Sequence, residues 1–430
     1  MANVRNIVVS IGGAESTAGE EVSRTATVPI RSMPSVTKTA QKELDPAIVG
    51  QNMDAGEFSV AYDVAGQIAV TPRPSAALGM LLTSVLGEEE ASPQQVAACI
   101  RIRYTGSEDS AKISADGTAD ELTSEVGDKG SESGDDDFGT SGTIDLTSTS
   151  TVGALVTEID GYTDYEAEKV FGEDSVDTGE IIDITESQGK DRWVYIWFAS
   201  SDSGVYRHQW QVDLTNTERP TYTLQIDELH DNFVYPGIFA TQLSLSAALM
   251  GLVEMDFEVL GMTESDGETA YSGSDLEDHG PLLFQRGSFA IGGTDFAFVR
   301  DISLTMGNNP NTDGYGMGSL YRQYHQKGKF EASGDLQIRH DSDVYSLRAT
   351  VFDDSMVALT LSFQPNADLV TGYPGLFLVE LPAVQLSDYQ PTENGDQIDA
   401  SISFRAVNPG GLYDSAVQVT MLTEDSGEYN

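Results

Sequence analysis

Asn309, Asn311 and Asp313 alternate along one polar segment, which is the spacing with which an EF-hand loop begins to bind calcium. Such a loop also needs a glutamate at its twelfth position, where this chain has Leu320. The alternate glycines at 314–318 lack the flanking strand and helix of a phosphate-binding loop. We therefore interpret the segment as a turn and a flexible loop without a metal or phosphate site.

Histidine and cysteine offer no catalytic arrangement either. The five histidines are scattered without the spacing of metal ligands: His208, His230, His279, His325 and His340. The single Cys99 forms no thiolate cluster, and neither the HExxH nor the GxSxG pattern occurs. The sequence predicts no catalytic residue, no cofactor and no metal site, and therefore a protein that is not an enzyme.

The elements that would have to position any site are mostly strands. Alternating apolar residues between Gly, Pro, Asn and Asp turns recur along most of the chain, a pattern typical of half-buried β-strands. Helical spacing occurs in three places. Leucines share one face after Pro74 and Ser75 until Gly87, and similar stripes occur at Thr151–Ile159 and Val344–Phe352. The predicted fold is mainly β with a few short helices.

The charge balance is strongly acidic. The chain carries 69 Asp and Glu against 23 Lys and Arg, a formal net charge of −46, and 8 of the cations are lysines. In multimolar salt the Debye length falls to about 3 Å, which screens the resulting self-repulsion. The composition therefore indicates a halophilic protein. A surface this negative also repels nucleic-acid phosphate, which excludes a nucleic-acid-binding function.

Residues 106–190 differ in composition from the rest of the chain. Ser107–Gly142 is rich in Ser, Gly, Asp and Glu with few large apolar residues, and we interpret it as loop or disorder. Thr143–Ile184 regains a small strand–helix–strand pattern. We expect a small inserted subdomain on a flexible acidic stalk, projecting from the surface away from tight packing.

Two parts of the sequence contain similar segments in the same order. The matches are Tyr235–Gly237 with Tyr373–Gly375, 65–70 with 333–338, and 222–226 with 359–363. They predict an internal duplication, with a hairpin at Gly66 and a counterpart at Gly334. The alternative is one larger β fold with coincidentally similar strands.

These segments resemble the major tail tube proteins of long-tailed, siphovirus-like viruses, and the acidic composition adds a haloarchaeal host to the expectation. The resemblance lies in the Gly66 hairpin with the helix at 74–87, the hairpin around Gly204 with 219–224, Tyr235–Gly237 leading into Leu243–Leu245, and the segments 299–308 and 377–382. It covers most of the chain outside 106–190 and the residues after Pro409.

The resemblance implies a mainly β fold with two tandem tail-tube-type β-sandwich or barrel domains, each with one short helix, plus a small α+β insertion. The expected divisions are an N-terminal arm at 1–20, tube domain 1 at 21–105 with 191–265, the acidic stalk and insertion at 106–190, tube domain 2 at 282–408, and an acidic C-terminal tail at 409–430. Such proteins stack as rings around a DNA channel. Two fused domains favour trimeric rings with pseudo-sixfold symmetry, and a hexamer stays open.

The resemblance also implies where the protein acts and with what partners. We expect a structural protein of the virion tail, assembled in the host cytoplasm, that binds itself and other tail proteins. Double-stranded DNA would pass through the lumen without specific binding. No membrane partner is expected, because the longest apolar stretches, Trp193–Ala199 and Ala247–Val253, are far shorter than the ~20 residues of a spanning helix.

Long loops ahead of the expected hairpins are candidates for ring-to-ring contacts, because Tyr and Arg favour interfaces and lysine is scarce here. The candidate residues are Lys38, Lys42, Asn309, Asp313, Tyr321, Arg322 and Tyr324. The alternative is that the second loop packs on its own domain.

Two other functions remain open at this stage. One is a halophilic surface or capsid-associated β-sandwich protein, which would form monomers or lattices instead of tubes. The other is a halophilic jelly-roll enzyme such as a glycosidase, which would need an aromatic cleft with two carboxylates. Trp193, Trp197 and Trp210 instead lie in strand patterns, where we expect them in the core.

Overall fold

The computed structural model describes residues 7–45, 56–132, 138, 142–212, 219–228, 231–267, 269–273, 279–326, 328–353, 355–408 and 415–429. His230, residues 1–6 of the expected arm and 409–414 of the expected tail lie outside this part of the chain. The described residues form a mainly β structure with large antiparallel sheets and three α-helices. The predicted fold class is confirmed.

The elements fall into two units and an insert. The first unit comprises β1 (Val8–Ala14), β2 (Arg24–Thr27), β3 (Thr37–Leu44), β4 (Glu57–Val70), α1 (Ala76–Leu86) and β5 (Gln94–Tyr104). The insert contains β6 (Ser110–Asp116), β7 (Glu121–Gly127), β8 (Thr143–Asp145), α2 (Val152–Ile159), β9 (Tyr165–Phe171), a 3-10 turn (Thr178–Glu180) and β10 (Ile184–Gln188). The first unit resumes with β11 (Val194–Ala199), β12 (Tyr206–Gln211), β13 (Tyr222–Asp227), β14 (Asn232–Ala248), β15 (Val253–Gly261) and β16 (Ser265–Asp266).

The second unit follows β16 and is shorter. It comprises β17 (Leu282–Ile291), β18 (Thr294–Asp295), β19 (Val299–Gly307), β20 (Glu331–Arg339), α3 (Ser342–Phe352), β21 (Met356–Pro365), β22 (Asp368–Val370), β23 (Tyr373–Pro374), β24 (Phe377–Asn394) and β25 (Gln397–Ala406). A last strand, β26 (Gln418–Thr423), follows the second unit.

Helix α1 confirms the first helix prediction and its limits. The Ser75 hydroxyl accepts a hydrogen bond from the Leu78 N–H at 3.4 Å, and Gly87 ends the helix with φ of +116°, a conformation that favours glycine. All residues of α1 except Ala76 are buried. The other two helices also form where the apolar spacing predicts them, at α2 and α3.

The two units repeat one strand order. In the first unit the antiparallel order is β3-β4-β15-β14-β13-β1-β2. In the second it is β19-β20-β25-β24-β21-β17-β18. A helix follows the second strand of each order, α1 after β4 and α3 after β20. The two halves are therefore structural copies of one another in topology.

The two copies join edge to edge. Residues Gln242 to Ala248 of β14 pair antiparallel with Gly307 to Asp301 of β19, so the sheet runs from the first unit into the second. One hydrophobic core spans the junction and includes Leu245, Leu304 and Leu336. The two copies thus share a continuous sheet and a continuous core.

The insert is more ordered and more tightly attached than its composition predicts. β6 and β7 form an antiparallel hairpin within Ser107–Gly142, so the expectation of a loop or flexible stalk is wrong for residues 110–127. Ala111, Ile113 and Leu122 are buried. Because the hairpin has only a few apolar residues and some of them are small, its sequence resembles that of a loop. β9 pairs with β5, so the insert extends a sheet of the first unit.

Both chain ends contribute strands where the sequence interpretation placed an arm and a tail. β1 pairs with β13 and β2, and buries Val9 and Ile11. β26 pairs with β12 and with β24, and buries Val419 and Met421. These segments are short, and the acidic residues around them make their alternating apolar pattern hard to recognise as a strand in the sequence.

The three expected hairpins do not form. Gly66 lies inside the continuous strand β4, and Gly334 lies inside β20. β11 and β12, on either side of Gly204, both pair with β5. A Cβ on Gly66 would lie 2.4 Å from the Val36 Cα, so the glycine permits a close strand approach instead of a turn.

Candidate assembly surfaces

The segment from 308 to 326, which links β19 to β20, packs on the first unit. The Tyr62 N–H donates to the Leu320 carbonyl at 2.7 Å, and the Tyr315 hydroxyl donates to the Tyr62 carbonyl at 3.0 Å. The second-unit segment therefore crosses the junction and covers β4. The segment thus packs within its own chain but on the other unit, whereas the alternative placed it on its own domain.

Arg322 anchors this segment. Its guanidinium Nη2 donates to Asp63 Oδ1 at 2.7 Å, and the Arg322 side chain is 2% exposed while that of Asp63 is 30% exposed. The guanidinium also lies 5.7 Å from the centre of the Tyr315 ring. A buried cation with one carboxylate partner makes this contact depend strongly on Asp63.

Lys38 and Tyr321 join the same cluster. The Tyr62 and Tyr321 ring centres lie 5.2 Å apart, and the Lys38 ammonium lies 5.2 Å and 5.7 Å from them. Lys38 also lies 3.7 Å from a carboxylate oxygen of Glu264. Three of the predicted site residues, Lys38, Tyr321 and Arg322, are thus brought together around Tyr62.

His325 closes the far end of the segment. Its Nε2 lies 2.9 Å from the Gly237 carbonyl oxygen, and its ring stacks on Phe239. Burial lowers the pKa of His325 to about 4, because the charged imidazolium would lose its hydration there. His325 is therefore neutral near pH 7, and it donates its Nε2–H to Gly237.

The other predicted site residues lie apart from this cluster. Asn309 donates its side-chain amide to the Lys329 carbonyl at 3.1 Å, and the Asp313 N–H donates to Asn311 Oδ1 at 3.0 Å within a turn. Tyr324 is 52% exposed. Lys42 lies on β3 with its ammonium 3.9 Å from exposed Glu57. The interpretation of the Asn309 segment as a turn is confirmed.

Sequence reasoning missed Asp63 and Tyr62, the residues on which the segment packs. Each lies in an ordinary alternating strand, and Asp63 is separated from Arg322 by 259 positions. No local pattern distinguishes Asp63 among the 69 acidic residues. The partner could be identified only from the three-dimensional arrangement.

No cluster of three or more His, Cys, Asp or Glu residues that could hold a metal ion occurs in the described ranges. Among the same residues, no helix is both long and apolar enough to cross a membrane. The three tryptophans are buried as predicted, and the Trp210 indole N–H donates to the Thr83 hydroxyl at 2.9 Å.

The described residues form a sheet-rich protein in which two units repeat one strand order. The profile of one protein family, described as phage tail tube protein, matches residues 5–406. The chain therefore belongs to the phage tail tube protein family. No curated protein matches the chain in the comparison made.

Membership in this family indicates the general role of the protein and its kind of partners. Tail tube proteins are structural components of the virion tail that assemble with themselves and with other tail proteins. Membership favours a structural role over the enzyme and the cell-surface alternatives considered above.

Proposed function

We propose that this protein self-assembles into stacked rings that form the tail tube, through which genome DNA enters the host. The observation that carries the proposal is the β14·β19 ladder, because it joins two equivalent sheets edge to edge. Repeating this junction between chains would extend the sheet around a closed ring, and heterologous contacts of this kind close into rings when the rotation allows. Two copies per chain favour a trimer with pseudo-sixfold symmetry.

The charge of the chain fits a DNA conduit that works in high salt. A net charge of −46 repels the phosphates of a passing duplex, so the wall does not bind its cargo. The same charge requires screening for the subunits to approach each other. We therefore place the protein in the tail of a siphovirus-like virus of a haloarchaeon, assembled in the host cytoplasm.

Ring-to-ring contacts are assigned to the exposed side of the segment 308–326. Met317 is fully exposed, and Asp313 and Tyr324 of the same segment are exposed, whereas Arg322 and Tyr321 hold the segment against the first unit. A fully exposed methionine costs hydrophobic free energy in an isolated subunit and is stabilised when a second ring covers it. Lys42 and Asn309 complete the proposed surface.

Electron microscopy of the purified protein in multimolar KCl tests the proposal directly. Class averages viewed down the particle axis are expected to show rings with a central channel and a threefold repeat. Featureless monomers at high protein concentration would contradict the tube function. A true sixfold repeat of whole chains would replace the trimer with the hexamer.

The stacking surface needs a separate test with a matched control. Met317→Glu is expected to give single rings that no longer stack into tubes. Met250→Glu is the control, because Met250 is 83% exposed in the turn between β14 and β15 and lies outside the proposed surface. Equal tube lengths for both variants would refute the assignment.

A further inference from the structure

The sheet that carries the insert also contacts the second unit. β9, β5 and β11 form this sheet, which we call the brace, and β9 belongs to the insert. A cluster of buried residues joins the brace to β17 and β24 of the second unit. Its members include Cys99, Phe171, Trp197, Ala290 and Leu378. The two units are thus in contact along the β14·β19 ladder and, separately, through the brace.

Arg101 of β5 bridges the insert and the second unit. Its Nη1 and Nη2 donate to the two carboxylate oxygens of Asp295 on β18, at 3.2 and 2.8 Å. Its Nε donates to a carboxylate oxygen of Glu168 on β9 at 3.0 Å. A guanidinium that binds one carboxylate through two parallel hydrogen bonds fixes the direction of the contact as well as its length.

Arg103, two residues further along β5, makes a second bridge. It donates to the Gly293 carbonyl of the second unit and, from Nε at 2.8 Å, to Glu166 of β9. The guanidiniums of Arg101 and Arg103 lie 4.1 and 4.6 Å from the centre of the buried Trp193 ring. Because this ring covers them, salt screens their ion pairs less than it screens exposed pairs.

The second unit is also held where the chain leaves the insert. Arg192 donates from Nη2 to Glu380 of β24 at 3.1 Å, and both side chains are buried. The turn between β17 and β18 approaches the same stretch, since a Cβ on Gly293 would lie 2.9 Å from the Asp191 carbonyl carbon. The second unit is therefore fixed to the brace at both β18 and β24.

The second unit has no room in its sequence for a counterpart of the brace. Residues 87–221 separate α1 from β13, whereas the three residues 353–355 separate α3 from β21. The contacts of the brace therefore join the first unit to the second unit of the same chain. The ladder between the units would not fix their angle by itself, because the twist between neighbouring strands varies over roughly 25°.

On these observations, and resting on the proposed tube function for its consequence, we propose that the brace fixes the angle between the two units of a chain before assembly. Arg101, Arg103 and Arg192 are positioning residues, because they act through the orientation of the second unit. Units that close into a ring must each turn by the same angle relative to the previous one. A fixed angle within each chain therefore sets the curvature of the ring, which gives the insert a mechanical role.

Distances between spin labels, measured by pulsed electron paramagnetic resonance, test the brace within one chain. Thr25→Cys on β2 and Ala349→Cys on α3 provide exposed label sites on the two units, and the native Cys99 is fully buried and stays unlabelled. Labelled chains are diluted into an excess of unlabelled protein in multimolar KCl, so that distances within a chain dominate. We expect a single narrow distance distribution for the wild type.

Arg101→Met is expected to broaden this distribution, because the carboxylates on its two sides then repel each other without their shared cation. Arg31→Met is the matched control. Arg31 also bridges two carboxylates, those of Glu254 and Asp256, but all three residues lie in the first unit. The control is expected to keep the wild-type distribution.

Two adjacent glycines give a second test that leaves the charge unchanged. Gly292 and Gly293 have φ of +56° and +72°, so alanine strains the turn at either position. A Cβ on Gly293 would in addition press against Asp191, whereas a Cβ on Gly292 would have nothing within 4 Å. We therefore expect Gly293→Ala to broaden the distance distribution and Gly292→Ala to leave it narrow.

The outcomes separate the brace from the function on which its consequence rests. Circular dichroism checks that every variant is folded. A folded Arg101→Met or Gly293→Ala protein whose distribution is as narrow as that of its control would overturn the brace. By electron microscopy the same two variants should form rings of mixed diameter, and uniform wild-type rings from a variant with a broad distribution would overturn the link to ring curvature. Wild-type protein that forms no rings would refute the tube function, while the distances still decide the brace.

Discussion

Removing Asp63 should loosen the segment 308–326 far more than removing its partner Arg322. In Asp63→Ala the guanidinium of Arg322 stays buried without its carboxylate, whereas Arg322→Met removes the buried charge and leaves Asp63, 30% exposed, in contact with water. Breaking a fully buried pair in this way costs about 3–5 kcal/mol. Because Asp63 is partly exposed and water screens the pair, we expect the lower end, about 3 kcal/mol for Asp63→Ala. For Arg322→Met we expect about 1 kcal/mol.

Hydrogen exchange of peptides covering 315–326, followed by mass spectrometry at constant high salt, measures this local opening. A loss of 3 kcal/mol corresponds to exchange roughly 100-fold faster than in the wild type. The double variant Asp63→Ala with Arg322→Met should exchange like Arg322→Met alone, because no buried charge remains. The reasoning is refuted when Arg322→Met opens the segment as much as Asp63→Ala, or when the two effects simply add.

Three further predictions follow from particular residues and from the charge. Gly66→Ala should lower the free energy of unfolding by about 2–3 kcal/mol, since its Cβ would lie 2.4 Å from the Val36 Cα. In the same denaturant titration the control Gly13→Ala, whose Cβ would have nothing within 4 Å, should change that free energy by less than about 1 kcal/mol. Equal losses for the two variants would contradict the packing argument. His325 has a pKa lowered to about 4 by burial, so as the pH falls from 6.5 towards 4 the wild type should lose up to about 3 kcal/mol relative to His325→Gln; parallel pH–stability curves would exclude this. Transfer to low salt should unfold or disassemble the protein because of its −46 charge, and an unchanged circular dichroism spectrum after desalting would be evidence against a halophilic protein.

Local signals in the sequence were sufficient for the helices. Ser75 and Gly87 delimit α1 through capping and a positive φ, and both effects act within a few residues. The apolar spacing likewise placed α2 and α3 correctly. The overall strand-rich class was equally accessible, because alternation is a property of each strand by itself.

Features that depend on contacts between distant parts of the chain could not be predicted from the sequence. Gly66 was interpreted as a hairpin because a glycine in a strand often marks a turn, but its cause is the backbone at Val36. The Tyr-Pro-Gly match also misled, since Tyr235 lies inside β14 while Tyr373 lies in β23, ahead of β24. The repeated topology is nevertheless visible in the strand order. That order is defined by pairing between distant segments, so a short sequence motif does not reveal it.

The sequence selects the segment 308–326 but not the residues on which it packs. Aromatic and cationic residues predict ring-to-ring contacts at Tyr321 and Arg322, whereas in the structure both side chains pack on the first unit of the same chain. Their charge partner Asp63 could not be chosen, because burial and distance select it, not its residue type. The ring-stacking role of the exposed residues stays a prediction.

The packing of Tyr429, which follows β26, has a consequence for how the protein is made. Tyr429 stacks on Trp210 and on His208, and its hydroxyphenyl ring occupies the space beside Gly79 of α1. The helix that begins at residue 76 therefore cannot be fully covered until residue 429 has left the ribosome. Subunits whose residue 429 has not yet emerged keep this core unfinished, which delays their assembly until that residue is available.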